Sequence, residues 1–138
     1  MDKIIECIPN FSEGRDKEKL EKILDEIRKQ EGVKLLDYSM DKDHNRSVVT
    51  FVGDPESVIQ AAFNSCKKAT ELIDLRNHKG EHPRMGATDV IPLVPIKNVT
   101  MQECIEYSQK LAKRIGEELN ILVFLYEKSA TSPQREDL

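Results

Sequence analysis

No stretch of this sequence approaches the ~18 consecutive apolar residues of a membrane-spanning helix. The opening Met1-Asp2-Lys3-Ile4-Ile5-Glu6 lacks the long apolar h-region of a secretory signal. No membrane role is expected, and a reducing cytoplasm is the expected compartment. Basic charge is not in excess either: 21 Lys and Arg face 25 Asp and Glu, a net charge of -4, with both signs interleaved. Binding to a phosphate backbone rests on clustered cations that release counterions, so nucleic acid is not an expected partner. Cysteine is scarce. Cys7, Cys66 and Cys104 are odd in number and widely separated, with no C-x-x-C pair, which leaves neither a zinc ribbon nor a redox dithiol. They read as buried thiols acting as small hydrophobes. Internal repeats and low-complexity linkers are also missing. The remaining reading is a single domain of 138 residues, large enough to hide roughly 70% of its unfolded surface without a disulfide or metal staple.

Apolar periodicity supplies the elements. Residues 3–9 form a short strand that Pro9 and Asn10 bring to an end, and a polar bend follows over Asn10-Phe11-Ser12-Glu13-Gly14. Leu20, Ile23, Leu24 and Ile27 recur at helical spacing, and Gly32 marks that helix's end. Strands are expected over Val33–Asp37 and Ser47–Val52, joined by a hairpin or wider loop. Asp54-Pro55-Glu56 opens a helix as a cap, a first-turn proline and an acid at the positive end of the dipole, with Val58, Ala62, Cys66, Ala69 and Ile73 as its buried stripe. Val90–Ile96 reads as one buried strand whose Pro92 and Pro95 hint at a sheet edge. Thr100-Met101-Gln102-Glu103 is a capping box ahead of a helix that buries Cys104, Ile105, Ser108, Leu111, Ala112, Ile115 and Leu119. Ile121–Tyr126 is a last strand. The order β-α-β-β-α-β-α-β predicts an α/β fold of the α+β type: a ferredoxin-like mixed sheet with helices packed on one face and the other face open or partnered.

One segment differs from everything around it. Residues 77–89, Asn-His-Lys-Gly-Glu-His-Pro-Arg-Met-Gly-Ala-Thr-Asp, concentrate two histidines, charges of both signs, two glycines and a proline. A solvated connector is the plain reading. Against it, glycine and proline shape the backbone, and the segment leads into a buried strand. The run His78-Lys79-Gly80-Glu81-His82 matches H-x-x-E-H, an inverted zinc-peptidase pattern. That chemistry needs a helix; Gly80 weakens one by about 1 kcal/mol, and Pro83 disfavours helical backbone at His82. No metal is expected. His82 makes better sense as a general acid or base, because imidazole offers both protonation states near neutral pH. Glu81 or Asp89 would orient the ring, while Lys79 and Arg84 would hold anionic groups. A surface ion pair is an equal alternative for Arg84. Asn10 and Ser12, after the first strand, line a pocket or else cap the next helix. His44 is read as a turn residue without a role.

Taken together, three motifs resemble the amino-terminal subdomain of the glutamate formimidoyltransferase family, also found fused as formimidoyltransferase-cyclodeaminase. They are Ile8-Pro9-Asn10-Phe11-Ser12-Glu13-Gly14, then Asn45-Arg46 with Thr50-Phe51-Val52-Gly53, then residues 78–89. The likeness runs in order along the whole chain, and the third motif is the specific one. It implies transfer of a formimino group from N-formimino-L-glutamate to N5 of tetrahydrofolate, a co-substrate, during histidine breakdown. The family's catalytic histidine falls on His82, as the base that takes the proton from the attacking nitrogen. Asn10, Ser12, Arg46, Lys79, Glu81, Arg84, Gly86 and Asp89 are the implied substrate-binding positions. Family members also carry a carboxy-terminal subdomain whose sheet faces the first across the folate. That half is missing here, so the open sheet face is expected to take it, or another copy of the chain, as partner. Two other readings stand beside this one: a binding module without turnover, and a relative acting on 5-formyltetrahydrofolate.

Overall fold

A computed structural model of the chain describes residues 2–12, 16–43, 45–72, 85–119 and 122–124. Its elements are β1 (Ile4–Cys7), β2 (Asn10–Phe11), α1 (Lys17–Arg28), β3 (Val33–Asp41), β4 (Arg46–Gly53), α2 (Pro55–Leu72), β5 (Met85–Val90), β6 (Leu93–Lys97), α3 (Met101–Leu119) and β7 (Leu122–Phe124). Burial alternates without a break from Ile4 to Phe11, so β1 and β2 are one line of chain with a common inner face. Two prolines interrupt the ladder at one level. Cys7 pairs with Leu93 and Asn10 with Val90, which puts the Ile8–Pro9 step beside the Ile91–Pro92 step. Proline has no N–H to give a neighbouring strand, but its carbonyl still accepts. Ile8 N–H donates to the Pro92 oxygen at 3.1 Å, and Val49 N–H to the Pro9 oxygen at 3.1 Å.

The sheet therefore consists of five lines of chain, in the order β3, β4, β1/β2, β6/β5, β7. All neighbouring pairs are antiparallel except β5 with β7, which is parallel. β4 inserts between β1 and β3, and β1/β2 between β4 and β5. Both crossovers are thus the split βαβ units of a ferredoxin-like fold. Three expectations need correction. The run from Val90 to Ile96 is two strands rather than one, parted at Ile91–Pro92. The supposed bend at Asn10–Phe11 is itself a strand, since β4 and β5 satisfy its backbone from either side. In α3 the deep stripe is narrower than expected: Cys104, Ser108, Leu111 and Ile115 are buried, whereas Ile105, Ala112 and Leu119 are partly covered. Pro92 falls in the break between β5 and β6 rather than within a strand, and β6, which carries Pro95, pairs with β1 among the described residues. Ile73 and the ends of the expected last strand lie outside the described residues.

The helices form one layer. α2 packs centrally on β1, β4 and β5, with α1 on one flank over β3 and α3 on the other over β6 and β7. Ile5, Cys7, Phe11, Val49 and Phe51 from the sheet meet Leu20, Ile23, Leu24 and Ile27 of α1 and Val58, Ala62, Cys66 and Ala69 of α2. Fully burying one such aliphatic side chain is worth about 1.5–3 kcal/mol, which makes this layer the main source of stability. Side chains also fix the helix starts. The Asp16 carboxylate accepts from Glu18 and Lys19 N–H, so Asp16 is the cap of α1, a role the Asn10–Gly14 segment does not fill. Ahead of α3, Thr100 Oγ1 accepts from Glu103 N–H at 3.0 Å while Glu103 accepts from Thr100 N–H at 2.9 Å, the reciprocal box read from the sequence.

Candidate active site

Strand register gathers the site. β5 runs antiparallel to β2, with Val90 opposite Asn10 and Thr88 opposite Phe11. Its first residue, Met85, therefore lies toward the Ser12 end of that line. On the other side, Asn10 and Phe11 oppose Val48 and Ser47, so β4 begins at that same end. β3 finishes there, Asp41 pairing with Arg46. β7 joins it too, pairing Leu122 with Met85. Ser12, Arg46, Gly86 and the junction at Met85 thus share one end of the sheet, although 74 residues of sequence separate Ser12 from Gly86.

The sequence candidates divide accordingly. Asn10 is half-buried on the face away from the helices, and its Nδ2 donates to the Ile8 carbonyl at 3.2 Å, leaving the amide oxygen as an acceptor on that face. Ser12 is half-buried just past β2. Arg46 is exposed at the first position of β4, directly after Asn45, whose φ of 51° makes the tight left-handed step out of the β3–β4 turn. Gly86 and Asp89 lie in β5, Asp89 where the register with β2 shifts between Thr88 and Val90. Lys79, Glu81, His82 and Arg84 lie outside the described residues, as does His44. The structure thus brings together Ser12, Arg46 and the β5 start, with Asn10 one step inward.

Two features escaped the sequence reading. Glu6 and Thr50 share the open face with Asn10, placed there by the same two-residue alternation; the signal was present in β1 and β4, but alternation alone does not say which face stays uncovered. Beneath the site, Ser47 is 1% exposed on the inner face, and its Oγ has no hydrogen-bond partner among the described residues. No group of three or more His, Cys, Asp or Glu side chains among the described residues could hold a metal ion. His78 and His82 are outside that set. The three cysteines are free and buried, as their apolar settings implied.

Residues 4–138 match the family described as "Formiminotransferase domain, N-terminal subdomain". The chain is 56% identical over 138 residues to a protein of Streptococcus pyogenes serotype M1 named glutamate formimidoyltransferase, covering all of this chain and 46% of that protein. A protein of the same name from Thermoplasma acidophilum is 50% identical over 135 residues, 98% of this chain and 45% of its own length. A formimidoyltransferase-cyclodeaminase of Dictyostelium discoideum is 50% identical over 138 residues, 26% of its length. The chain spans about half the length of the first two relatives and a quarter of the third. With the match running along nearly every residue, the chain belongs to the formiminotransferase-domain family, as its N-terminal subdomain.

Proposed function

We propose that this chain forms the amino-terminal half of a glutamate formimidoyltransferase, a folate-dependent transferase of one-carbon groups. The observation that carries the reading is the family match over residues 4–138, with relatives at 50–56% identity named for that activity. In the reaction, N5 of tetrahydrofolate attacks the formimino carbon of N-formimino-L-glutamate. The new N–C bond forms as the bond from that carbon to the glutamate nitrogen breaks. His82 accepts the proton that N5 loses and can return it to the departing amine, so one imidazole serves both steps. Holding two substrates side by side removes much of the translational cost.

Chain connectivity supports His82 in this role. Three residues of chain reach at most about 11 Å, and His82 precedes Met85 by three, at the sheet end where Ser12 and Arg46 meet. Arg46, Lys79 and Arg84 supply cations for the glutamate carboxylates of both substrates. Asn10, Ser12 and the Gly86 backbone offer neutral hydrogen bonds, and Glu81 or Asp89 orients the imidazole. Tetrahydrofolate enters as co-substrate, and the mechanism uses no metal. The carboxy-terminal half covers the open sheet face and completes the folate site; three free thiols suit a reducing cytoplasm.

The test is an assay of transfer from N-formimino-L-glutamate to tetrahydrofolate, using this chain together with the carboxy-terminal half of the Streptococcus pyogenes relative. His82→Ala should lower the rate by about 10²–10⁴-fold. Undiminished transfer by that variant defeats the mechanism. Folate binding without turnover by the native pair would instead identify a binding module.

A further inference from the structure

Asn10 stands in for a hydrogen bond that Pro92 cannot make. Register runs unbroken from Cys7 opposite Leu93 to Asn10 opposite Val90, so Ile8 lies opposite Pro92. In a hydrogen-bonded antiparallel pair, each residue gives its N–H to the other's carbonyl. Here one of the two bonds forms: Ile8 N–H donates to the Pro92 oxygen at 3.1 Å, and Pro92 has no N–H to return. The Ile8 carbonyl instead accepts from the Asn10 side chain, Nδ2 to oxygen at 3.2 Å. A backbone carbonyl left without a donor is costly once covered, so this contact pins the amide.

Pinning decides what Asn10 can recognise. A carbonyl only accepts, so the amide nitrogen is the side turned to Ile8, and the flip that would exchange nitrogen and oxygen is barred. The amide oxygen, which also only accepts, is held on the opposite side of the group, at a half-buried position of the open face. Such an oxygen takes an N–H donor and turns away a carboxylate. Of the groups the two substrates carry, the nitrogen-rich reacting ends fit, because the formimino group and the pterin ring both present N–H. The glutamate carboxylates do not fit. Their cation, Arg46, lies two residues along β4 from Val48, the strand partner of Asn10, about 7 Å away.

We infer that Asn10 is a specificity residue for the reacting ends of the substrates, its oxygen accepting a hydrogen bond from a substrate N–H, and that Pro92 is the positioning residue behind it. Pro92 acts by leaving the Ile8 carbonyl open, which holds the amide in one orientation. This rests on the functional reading above and adds to it the atom that tells a nitrogen-bearing end from a carboxylate-bearing one. The competing contact is the second Nδ2 hydrogen, which would read a substrate oxygen instead.

The experiment uses this chain joined to the carboxy-terminal half of the Streptococcus pyogenes relative. It compares Asn10→Leu and Asn10→Asp, each with and without Pro92→Ala. With Pro92 in place, Asn10→Leu strands the Ile8 carbonyl and lowers Tm by about 2–4 °C. Pro92→Ala supplies the missing N–H, so in that background the same change costs little. A Tm loss equal in both backgrounds would overturn the link between Pro92 and Asn10. Catalysis divides differently. In the Pro92→Ala background Asn10→Leu still lowers kcat/KM about tenfold, because the acceptor is gone. Asn10→Asp keeps an acceptor and loses both amide hydrogens, and it stays within about threefold. A rise in KM for N-formimino-L-glutamate alone assigns the donor to the formimino group, and a rise for tetrahydrofolate alone assigns it to the pterin. Equal losses in Asn10→Leu and Asn10→Asp, or no loss in either, would overturn the inference. Absence of transfer in the native joined protein, with the Tm differences intact, would count against the functional reading alone.

Discussion

The carbonyl oxygen of Gly32 occupies the space where a Cβ on Gly53 would stand. Gly53 ends β4 between Ile5 on one side and Val33 on the other, so backbone presses on it from both neighbours. Gly32 turns the chain from α1 into β3 at a φ of +85°, a conformation L side chains rarely adopt. The atoms in the way belong to main chain and cannot swing aside. Gly53→Ala should therefore cost about 2–3 kcal/mol, at the upper part of the range for overpacking. Urea denaturation measures it, and an unchanged midpoint would disprove the steric account.

Burial raises the Cys104 thiol to about 11, with the nearby Glu103 charge acting in the same direction. An unfolded thiol ionises near pH 8.5. From there up to about 11 the unfolded chain holds fewer protons than the folded one, so stability falls as pH rises through that window. Below it the thiol contributes no pH dependence. The expected loss is on the order of 1–3 kcal/mol. Comparing denaturation at pH 8 and pH 10.5, Cys104→Ala should show a shallower decline than the native chain. Equal slopes would remove the thiol from the explanation. Cys7, fully buried, is also pushed well up by loss of solvent, so neither thiol should react with alkylating agents until the chain unfolds.

Ser47 buries a hydroxyl on the inner face without a described partner. Leaving such a group dry costs about 1–3 kcal/mol. Ser47→Ala should thus leave stability unchanged or raise it by about 1 kcal/mol, as seen in the midpoint of thermal or urea unfolding. A loss of more than that would mean the hydroxyl is satisfied by a group beyond the described residues.

Arg46 is exposed at a strand start rather than packed into the core. In the two-half assay, Arg46→Ala should raise KM for the carboxylate-bearing substrates roughly tenfold, the scale of one charge-assisted hydrogen bond, with kcat little changed. A fall in stability with KM unaltered would assign Arg46 to the β3–β4 hairpin instead.

Much of this fold was legible because local chemistry fixed it. The spacing of Leu20, Ile23, Leu24 and Ile27 requires a helix with one buried face, and the Thr100–Glu103 box closes on itself within four residues. The alternation through Ser47, Val49 and Phe51 likewise demands a strand with one side in the core. The candidate site was legible only as a list. Its residues carry charge, imidazole and constrained backbone, which reveal chemistry but not distance.

What the sequence determined by itself is therefore the set of elements and the residue types that bear function, since capping, periodicity and turn chemistry act over a few residues. Only the tertiary structure decided that Pro9 and Pro92 break neighbouring strands at one level, that Gly32 and Gly53 touch, and that Ser12, Arg46 and the start of β5 share an end of the sheet. Those relations depend on strand order and register. Register is set by how whole faces pack against the helix layer, a sum over distant residues that no local pattern contains.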